Sequence, residues 1–147
     1  MAYITNADIE RRVGTAAYIA LTDDAGTGSA DTAKVDEARM GAEGEANSYL
    51  AARYQVPVNV ATESEVAAVL KTFVLDLAAY RLHCRKPPVP ADVVRRREEA
   101  VEWLARVASG VVQLPSAAAP ASNAAMGIVG QAAGPARVMT REGLSNL

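Results

Sequence analysis

Cysteine, histidine and the large aromatic residues are scarce in this 147-residue chain, which has one Cys, one His, one Phe and one Trp. The single cysteine, Cys84, excludes an intrachain disulfide framework and fits a reducing compartment. The only histidine, His83, is its neighbour, and adjacent helical side chains point about 100° apart, too divergent for a nucleophile and its base. We therefore interpret Cys84 as a small buried residue and His83 as a residue that favours a helix C-terminus.

Motifs that bind cofactors or metals are also missing. The sequence has no Gly-rich phosphate loop, dinucleotide fingerprint or serine elbow. A loop that begins at Asp23 partly resembles a calcium loop, but Ala25 and Lys34 replace two of its carboxylates and leave only Asp23 and Asp31 as acidic ligands. We predict no cofactor, no metal site and no enzymatic activity.

Excess charge of either sign and long apolar runs are absent as well. A net charge of −2 and a pI near 5.4 argue against sequence-independent nucleic-acid binding, which needs a cationic surface. No apolar stretch reaches the ~18 residues of a membrane span, and no signal peptide opens the sequence. We expect a soluble protein, made in the cytoplasm, with no membrane partner.

Helical signals fill the first 114 residues. Thr5 and Asp8 predict a capping box that opens a short helix, which ends near Gly14. A second short helical piece spans 16–21, and Asp31 or Thr32 caps a long helix that is predicted to reach Tyr54. Its apolar or small positions follow helical spacing: Val35, Ala38, Ala42, Ala46, Tyr49 and Leu50.

Gly41 and Gly44 interrupt that long helix, where each glycine costs about 1 kcal/mol relative to alanine. One explanation is the close approach of another backbone, from the same subunit or a neighbouring one. The alternative is that both glycines are tolerated on a solvent-exposed face.

Two further helices follow, and they complete an all-α fold: a small bundle of four to five helices. Thr62 and Glu65 predict a capping box that opens a central helix, which ends before Pro87. Its predicted stripe is Val66, Val69, Leu70, Phe73, Val74, Leu77, Tyr80 and Arg81. Pro90 begins the last helix and Gly110 ends it, with a predicted inner side of Val94, Arg97, Val101, Leu104 and Ala108.

The last helix carries the charged run Arg95, Arg96, Arg97, Glu98 and Glu99. Most such runs are solvated faces with i,i+4 pairs, here between Arg95 and Glu99. The functional alternatives are an ion-pair belt between subunits and a contact to DNA. We favour the belt, because the acidic residues follow the arginines immediately.

From Pro115 onward the composition changes, which divides the chain into a helical body at 1–114 and a C-terminal segment at 115–147. Residues 115–134 carry no charge, and only Met126, Ile128 and Val129 among them are large. Such a segment cannot bury enough surface to fold alone. It is either an end without a role or an extended arm that orders on a partner.

Several short motifs in this order resemble the Mu-like phage head–tail adaptor, or head completion, family. The long helix ends in the sequence Ser-Tyr-Leu-Ala-Ala-Arg-Tyr at 48–54, with Pro57 shortly after. The central helix closes on Leu-Ala-Ala-Tyr-Arg-Leu-His at 77–83, and the last helix contains Ala-Val-Glu-Trp-Leu at 100–104. The resemblance covers about residues 1–114.

This resemblance implies a structural connector of the virion, assembled in the host cytoplasm. Copies would form a homo-oligomeric ring, with a dodecamer as the expected form, beneath the portal protein. The ring would also meet a stopper or tail-completion protein, and DNA would pass through without specific binding. By analogy with related adaptors, the arm would dock on the portal through four apolar anchors: Val138, Met139, Leu144 and Leu147. The inter-subunit candidates are the charged run at 95–99 together with Gly41 and Gly44.

The competing hypothesis is a soluble helical binding module, or regulator, whose tail recruits a partner. It explains the same composition without a ring.

Overall fold

A computed structural model describes residues 3–59 and 65–114 of the chain. These two ranges contain five α-helices and no strand: α1 (Asn6–Val13), α2 (Thr15–Thr22), α3 (Thr32–Leu50), α4 (Glu65–His83) and α5 (Ala91–Ser109). The predicted all-α bundle of four to five helices is confirmed. The extended arm assigned to 115–147 and the capping residue Thr62 lie outside the described residues.

Helices α3 and α4 form the centre of the bundle, since each of them packs against all four other helices. Phe73 of α4 lies beside Trp103 of α5, and Tyr80 of α4 lies beside Arg97. Residue numbers therefore rise along α4 as they fall along α5, so the two helices run antiparallel. Helix α1 contacts both halves of α4, through Asp8 with Lys71 and through Arg12 with Asp76.

The two halves of α4 differ in how much of their surface is buried. Leu70, Val74 and Leu77 of the predicted stripe are buried, but Val69 is 41% exposed. The second half is buried around most of its circumference, at Val74, Asp76, Leu77, Ala78, Ala79 and Leu82. The prediction of one continuous stripe along the whole helix is therefore wrong.

The predicted inner side of α5 is displaced by one residue. The buried positions are Val93, Ala100, Leu104 and Val107, so only Leu104 belongs to the predicted set. The spacing of apolar residues fits two neighbouring faces of α5, and only the packing of the helix selects one of them. α5 packs against both α3 and α4, and Ala100 lies fully buried in that packing.

Helix α3 ends at Leu50, four residues before the predicted end at Tyr54. Arg53 N–H donates to the Leu50 carbonyl at 3.0 Å, so the chain leaves the helix through a tight turn. Tyr54 is buried, and its hydroxyl accepts from the Leu114 N–H at 2.9 Å. Leu114 itself is 3% exposed, so the last described residue is fixed against the turn that follows α3.

The predicted capping box of α1 is confirmed. The Thr5 hydroxyl accepts from the Asp8 N–H at 3.2 Å, and Asp8 Oδ2 accepts from the Thr5 N–H at 3.0 Å. Lys71 of α4 adds an ion pair at 2.9 Å. Burial would raise the pKa of Asp8, but the hydrogen bonds from Lys71 and Thr5 outweigh it and hold the pKa at about 2.

We predict an acid-sensitive contribution to stability from Asp8. Its pKa lies below its ordinary value of 3.8 in the folded chain, so the stabilisation is complete above that value and is lost as the pH falls towards 2. Urea unfolding between pH 5 and pH 2 should therefore show wild type converging on Asp8→Asn as the pH falls. A constant difference between the two proteins across this range would contradict the assignment.

Candidate functional site

A groove of about 410 Å³ lies between α3, α4 and α5. Its walls carry more charged and polar residues than apolar ones: Lys34, Glu37, Ala38, Glu45, Tyr80, Arg81, Cys84, Arg85 and Arg97. All three long helices contribute side chains to the groove. Contacts between these side chains hold the helices in a defined orientation to one another.

Glu45 joins the three helices at the groove. Its Oε2 accepts from Arg81 of α4 at 2.9 Å, and its Oε1 accepts from Arg97 of α5 at 3.2 Å. The Arg97 guanidinium also lies 4.8 Å from the centre of the Tyr80 ring, a cation–π contact. Arg97 therefore links α5 to α3 and α4 within the subunit, and its predicted place in an inter-subunit belt stays a prediction.

The thiol of Cys84 is exposed, so the prediction that Cys84 is buried is wrong. Cys84 follows His83, the last residue of α4, and lines the groove. Its hydrogen bond with Tyr80 and its negative charge when ionised raise the pKa of the Tyr80 phenol, with desolvation adding to the effect. The phenol therefore stays protonated, and it is a poor partner for activating the thiol as a nucleophile.

The two candidate glycines of α3 differ. A Cβ on Gly41 would lie 2.8 Å from Arg81 Nη1, whereas a Cβ on Gly44 would meet nothing within 4 Å. The close approach predicted at Gly41 is thus made by a side chain and not by a backbone. Gly44 is exposed and makes no such contact within the described residues. Its inter-subunit role stays a prediction.

We predict that Gly44→Ala raises the free energy of unfolding by about 0.5–1 kcal/mol, because alanine favours a helix and the site is open. Gly41→Ala is the matched control on the same helix. It should gain less, since the new methyl displaces Arg81 from Glu45. Thermal unfolding of both variants measures the difference. An equal gain from the two substitutions would contradict the role of Gly41.

The rest of the charged run on α5 faces outward. Arg95 pairs with Glu99 at 2.7 Å, as the i,i+4 interpretation predicts, and Arg96 pairs with Asp92 at 2.9 Å. Glu98 is exposed and makes no ion pair with any described residue. This face is available to a neighbouring protein, although its pairs are solvated and individually weak.

The calcium-like loop uses its carboxylates internally. Asp23 accepts from the N–H groups of Thr27 and Gly28 at 3.0 and 2.7 Å, and these bonds lower its pKa. Asp24 pairs with Lys34 and, at 2.7 Å, with Arg85. The Lys34 hydrogen bond foremost, with Arg85, holds the pKa of Asp24 at about 2.

Two basic residues at the end of α4 also fix this loop. Arg85 donates to the Leu21 carbonyl at 3.0 Å, and Lys86 donates to the Ala20 carbonyl at 2.6 Å. They thereby satisfy the last carbonyl groups of α2, which its own hydrogen bonds leave free. In the part of the chain that the structure describes, no cluster of three or more His, Cys, Asp or Glu residues is placed to hold a metal ion.

Sequence reasoning missed the two acidic residues that organise this region, Glu45 and Asp24. Apart from Lys34, which lies 10 residues after Asp24, the partners just described lie 36 to 61 residues away, and no local spacing shows such a pairing. The four arm anchors Val138, Met139, Leu144 and Leu147 lie outside the described residues, so their role stays a prediction. None of the described helices has the length and apolar character to cross a membrane.

Residues 3–130 match the protein family described as bacteriophage Mu, Gp36. The match takes in every described helix and most of the chain. The chain belongs to this family. The resemblance seen in the sequence is thus confirmed as far as membership of a Mu phage protein family. No curated protein matches the chain.

The residues that match the Gp36 family extend further along the chain than the sequence motifs predict. The sequence motifs predict that the resemblance ends near Leu114, but the match continues through residue 130. The matched range thus includes residues 115–130, the first part of the C-terminal segment. The four arm anchors lie beyond it.

Proposed function

We propose that this chain is a structural head–tail connector of a tailed phage. Copies form a ring beneath the portal, with twelve as the expected number, and join the DNA-filled head to the tail. The observation that carries the proposal is the Gp36 family match over residues 3–130, which includes the whole described body. The protein acts by assembly in the virion and has no catalytic role.

The geometry of the body supports a rigid building block. Glu45 ties α3 to α4 and α5, Asp24 ties the loop after α2 to α4, and Asp76 ties α1 to α4. A ring subunit needs such a fixed shape, since small errors in the angle between neighbours accumulate and prevent closure.

The outward face of α5 supplies the proposed contact between neighbours. Arg95, Arg96, Glu98 and Glu99 remain accessible there, whereas Arg97 is turned inward against Glu45 and Tyr80. A face with both signs of charge suits a head-to-tail interface, in which one surface meets a different surface of the next copy. Gly44 is a second accessible position on α3.

The C-terminal arm supplies the proposed contact to the portal. Val138, Met139, Leu144 and Leu147 are its apolar anchors, and they would enter grooves or extend a sheet edge of the portal. The remaining partners are a stopper or tail-completion protein below the ring. DNA passes through the ring, and the net charge of −2 favours passage without specific binding.

A binding experiment with the portal of the same phage tests the proposal. The full chain should bind the portal and form a ring visible by electron microscopy. Leu144→Asp with Leu147→Asp should abolish binding while helix content is unchanged, because charged groups cannot enter apolar grooves. Ser145→Asp with Asn146→Asp is the matched control and should bind. Failure of the wild-type chain to bind would refute the connector, and unimpaired binding by the leucine variant would refute the arm anchors.

A further inference from the structure

Large apolar side chains remain partly exposed where α4 packs against α5. Phe73 and Trp103, the only phenylalanine and tryptophan of the chain, have ring centres 4.8 Å apart and are half-buried there. Val66 and Val69 precede Phe73 by seven and four residues, so they lie on the same side of α4. Val69 is 41% exposed. We call these four residues the α4–α5 seam.

The seam continues towards the point where the chain leaves the bundle. Because α4 and α5 are antiparallel, the first turns of α4 lie beside the C-terminal end of α5. Val111, directly after that end, is 77% exposed. Apolar surface of this kind, left open beside a chain exit, points to an occupant that the described residues do not include.

We propose that residues 115–130 of the same chain dock on the α4–α5 seam through Met126, Ile128 and Val129. This inference is independent of the connector function, since it concerns the isolated subunit. It divides the C-terminal segment into a proximal part that belongs to the body and a distal part that carries the portal anchors.

Composition supports this occupant. Residues 115–134 contain no charged side chain, and the three large apolar residues of that stretch fall within four positions of one another. The four seam residues are uncharged as well, so contact between them and the three apolar side chains buries no ionic group of either set. The distal part differs, since Arg137, Arg141 and Glu142 accompany its apolar anchors.

The reach of the segment also fits. Leu114 is fixed against Tyr54, which sets the starting point. Helix α5 has 19 residues and is about 28 Å long, at 1.5 Å per residue. The 12 residues from Leu114 to Met126 can span about 40 Å when extended. Met126, Ile128 and Val129 can therefore reach any point along the seam.

A tether of this length favours the same chain over a second copy. It holds Met126, Ile128 and Val129 near the seam at an effective concentration in the millimolar range. This exceeds the concentration of second copies in an ordinary protein solution. The family match adds an independent observation, because it extends beyond the body through residue 130 and stops before the distal anchors.

Trp103 gives a direct readout, since it is the only tryptophan and lies in the seam. In the full chain without portal, Ile128→Asp with Val129→Asp should shift its emission to longer wavelength and increase its quenching by acrylamide. Ser122→Asp with Asn123→Asp adds the same charge to the same segment and is the control. Far-UV circular dichroism confirms that the helices persist. Quenching equal to that of wild type and control would overturn the proposal.

A cross-link tests the contact without relying on a disruptive substitution. Val69→Cys with Ile128→Cys, in a Cys84→Ser background, should form an intramolecular disulfide under mild oxidation. Val69→Cys with Ser122→Cys is the control and should react less. Free thiols that persist in the first variant, or a disulfide that joins two copies, would overturn docking within one chain. Neither experiment involves the portal, so each can fail while the connector proposal stands.

Discussion

Replacing Arg12 with methionine should lower the free energy of unfolding by about 3–5 kcal/mol, because it leaves a buried carboxylate without its cation. Asp76 is 6% exposed, and one of its oxygens accepts from Arg12 Nη2 at 2.5 Å and from Arg12 Nε at 2.9 Å. Water cannot easily replace the guanidinium in this position. Arg11→Met is the control: the Arg11 side chain is 79% exposed, so its loss should change stability by less than about 0.5 kcal/mol.

Removing Asp76 should lower the free energy of unfolding less than removing Arg12 does. The Arg12 side chain is 33% exposed, so it can turn to solvent when Asp76→Leu removes its partner, and that substitution should cost less than Arg12→Met. The double variant should recover much of the loss, because apolar residues replace both charges. Urea unfolding of the four proteins gives the coupling energy. Strictly additive losses would show that the pair makes no net contribution.

Enlarging Ala100 should produce the second large loss, about 1–3 kcal/mol for Ala100→Leu. Ala100 is fully buried on α5, and α3 presents the small residues Ala38, Ala42 and Ala46 as its own buried positions. Helices that pack through alanine approach each other closely, so three added carbons force them apart.

Ala105→Leu is the matched control for this prediction, since Ala105 is an exposed alanine on the same helix. It should change stability by less than about 0.5 kcal/mol. Thermal unfolding followed by circular dichroism measures both variants. Equal effects from the two substitutions would mean that Ala100 does not lie at a close contact.

The sequence predicted those parts of the fold that depend on local chemistry. Thr5 with Asp8 opens α1, Asp31 caps α3 through the Ala33 N–H at 3.0 Å, and Gly110 ends α5 with a left-handed φ of 83°. Each of these signals acts over a few residues, so it can be read without knowledge of the packing.

The errors concern packing between helices. Periodicity predicted Val94 and Val101 for the inner side of α5, but Val93 and Ala100 are buried instead. Residue type could not decide between these neighbours, since 93 and 94 are both valine, and the smaller Ala100 rather than Val101 fills the space between the helices. For the same reason, an alanine-rich chain is harder to assign than one with large core residues.

The ion-pair network was also beyond sequence reasoning. Arg12 and Asp76 are 64 residues apart, and the partners of Glu45 are 36 and 52 residues away. Helical spacing placed Arg97 on the inner side of α5 and Arg95 in a local pair with Glu99, but it could not identify Glu45 as the partner of Arg97.

The closing contact at Leu114 determines how the body carries mechanical load. Tension that reaches Leu114 acts on a residue whose side chain is buried and whose N–H donates to the Tyr54 hydroxyl. The force therefore passes to the turn after α3, and the last turn of α5 is not peeled away until this contact breaks. A subunit pulled by its end in this way is loaded across two helices and resists as a unit.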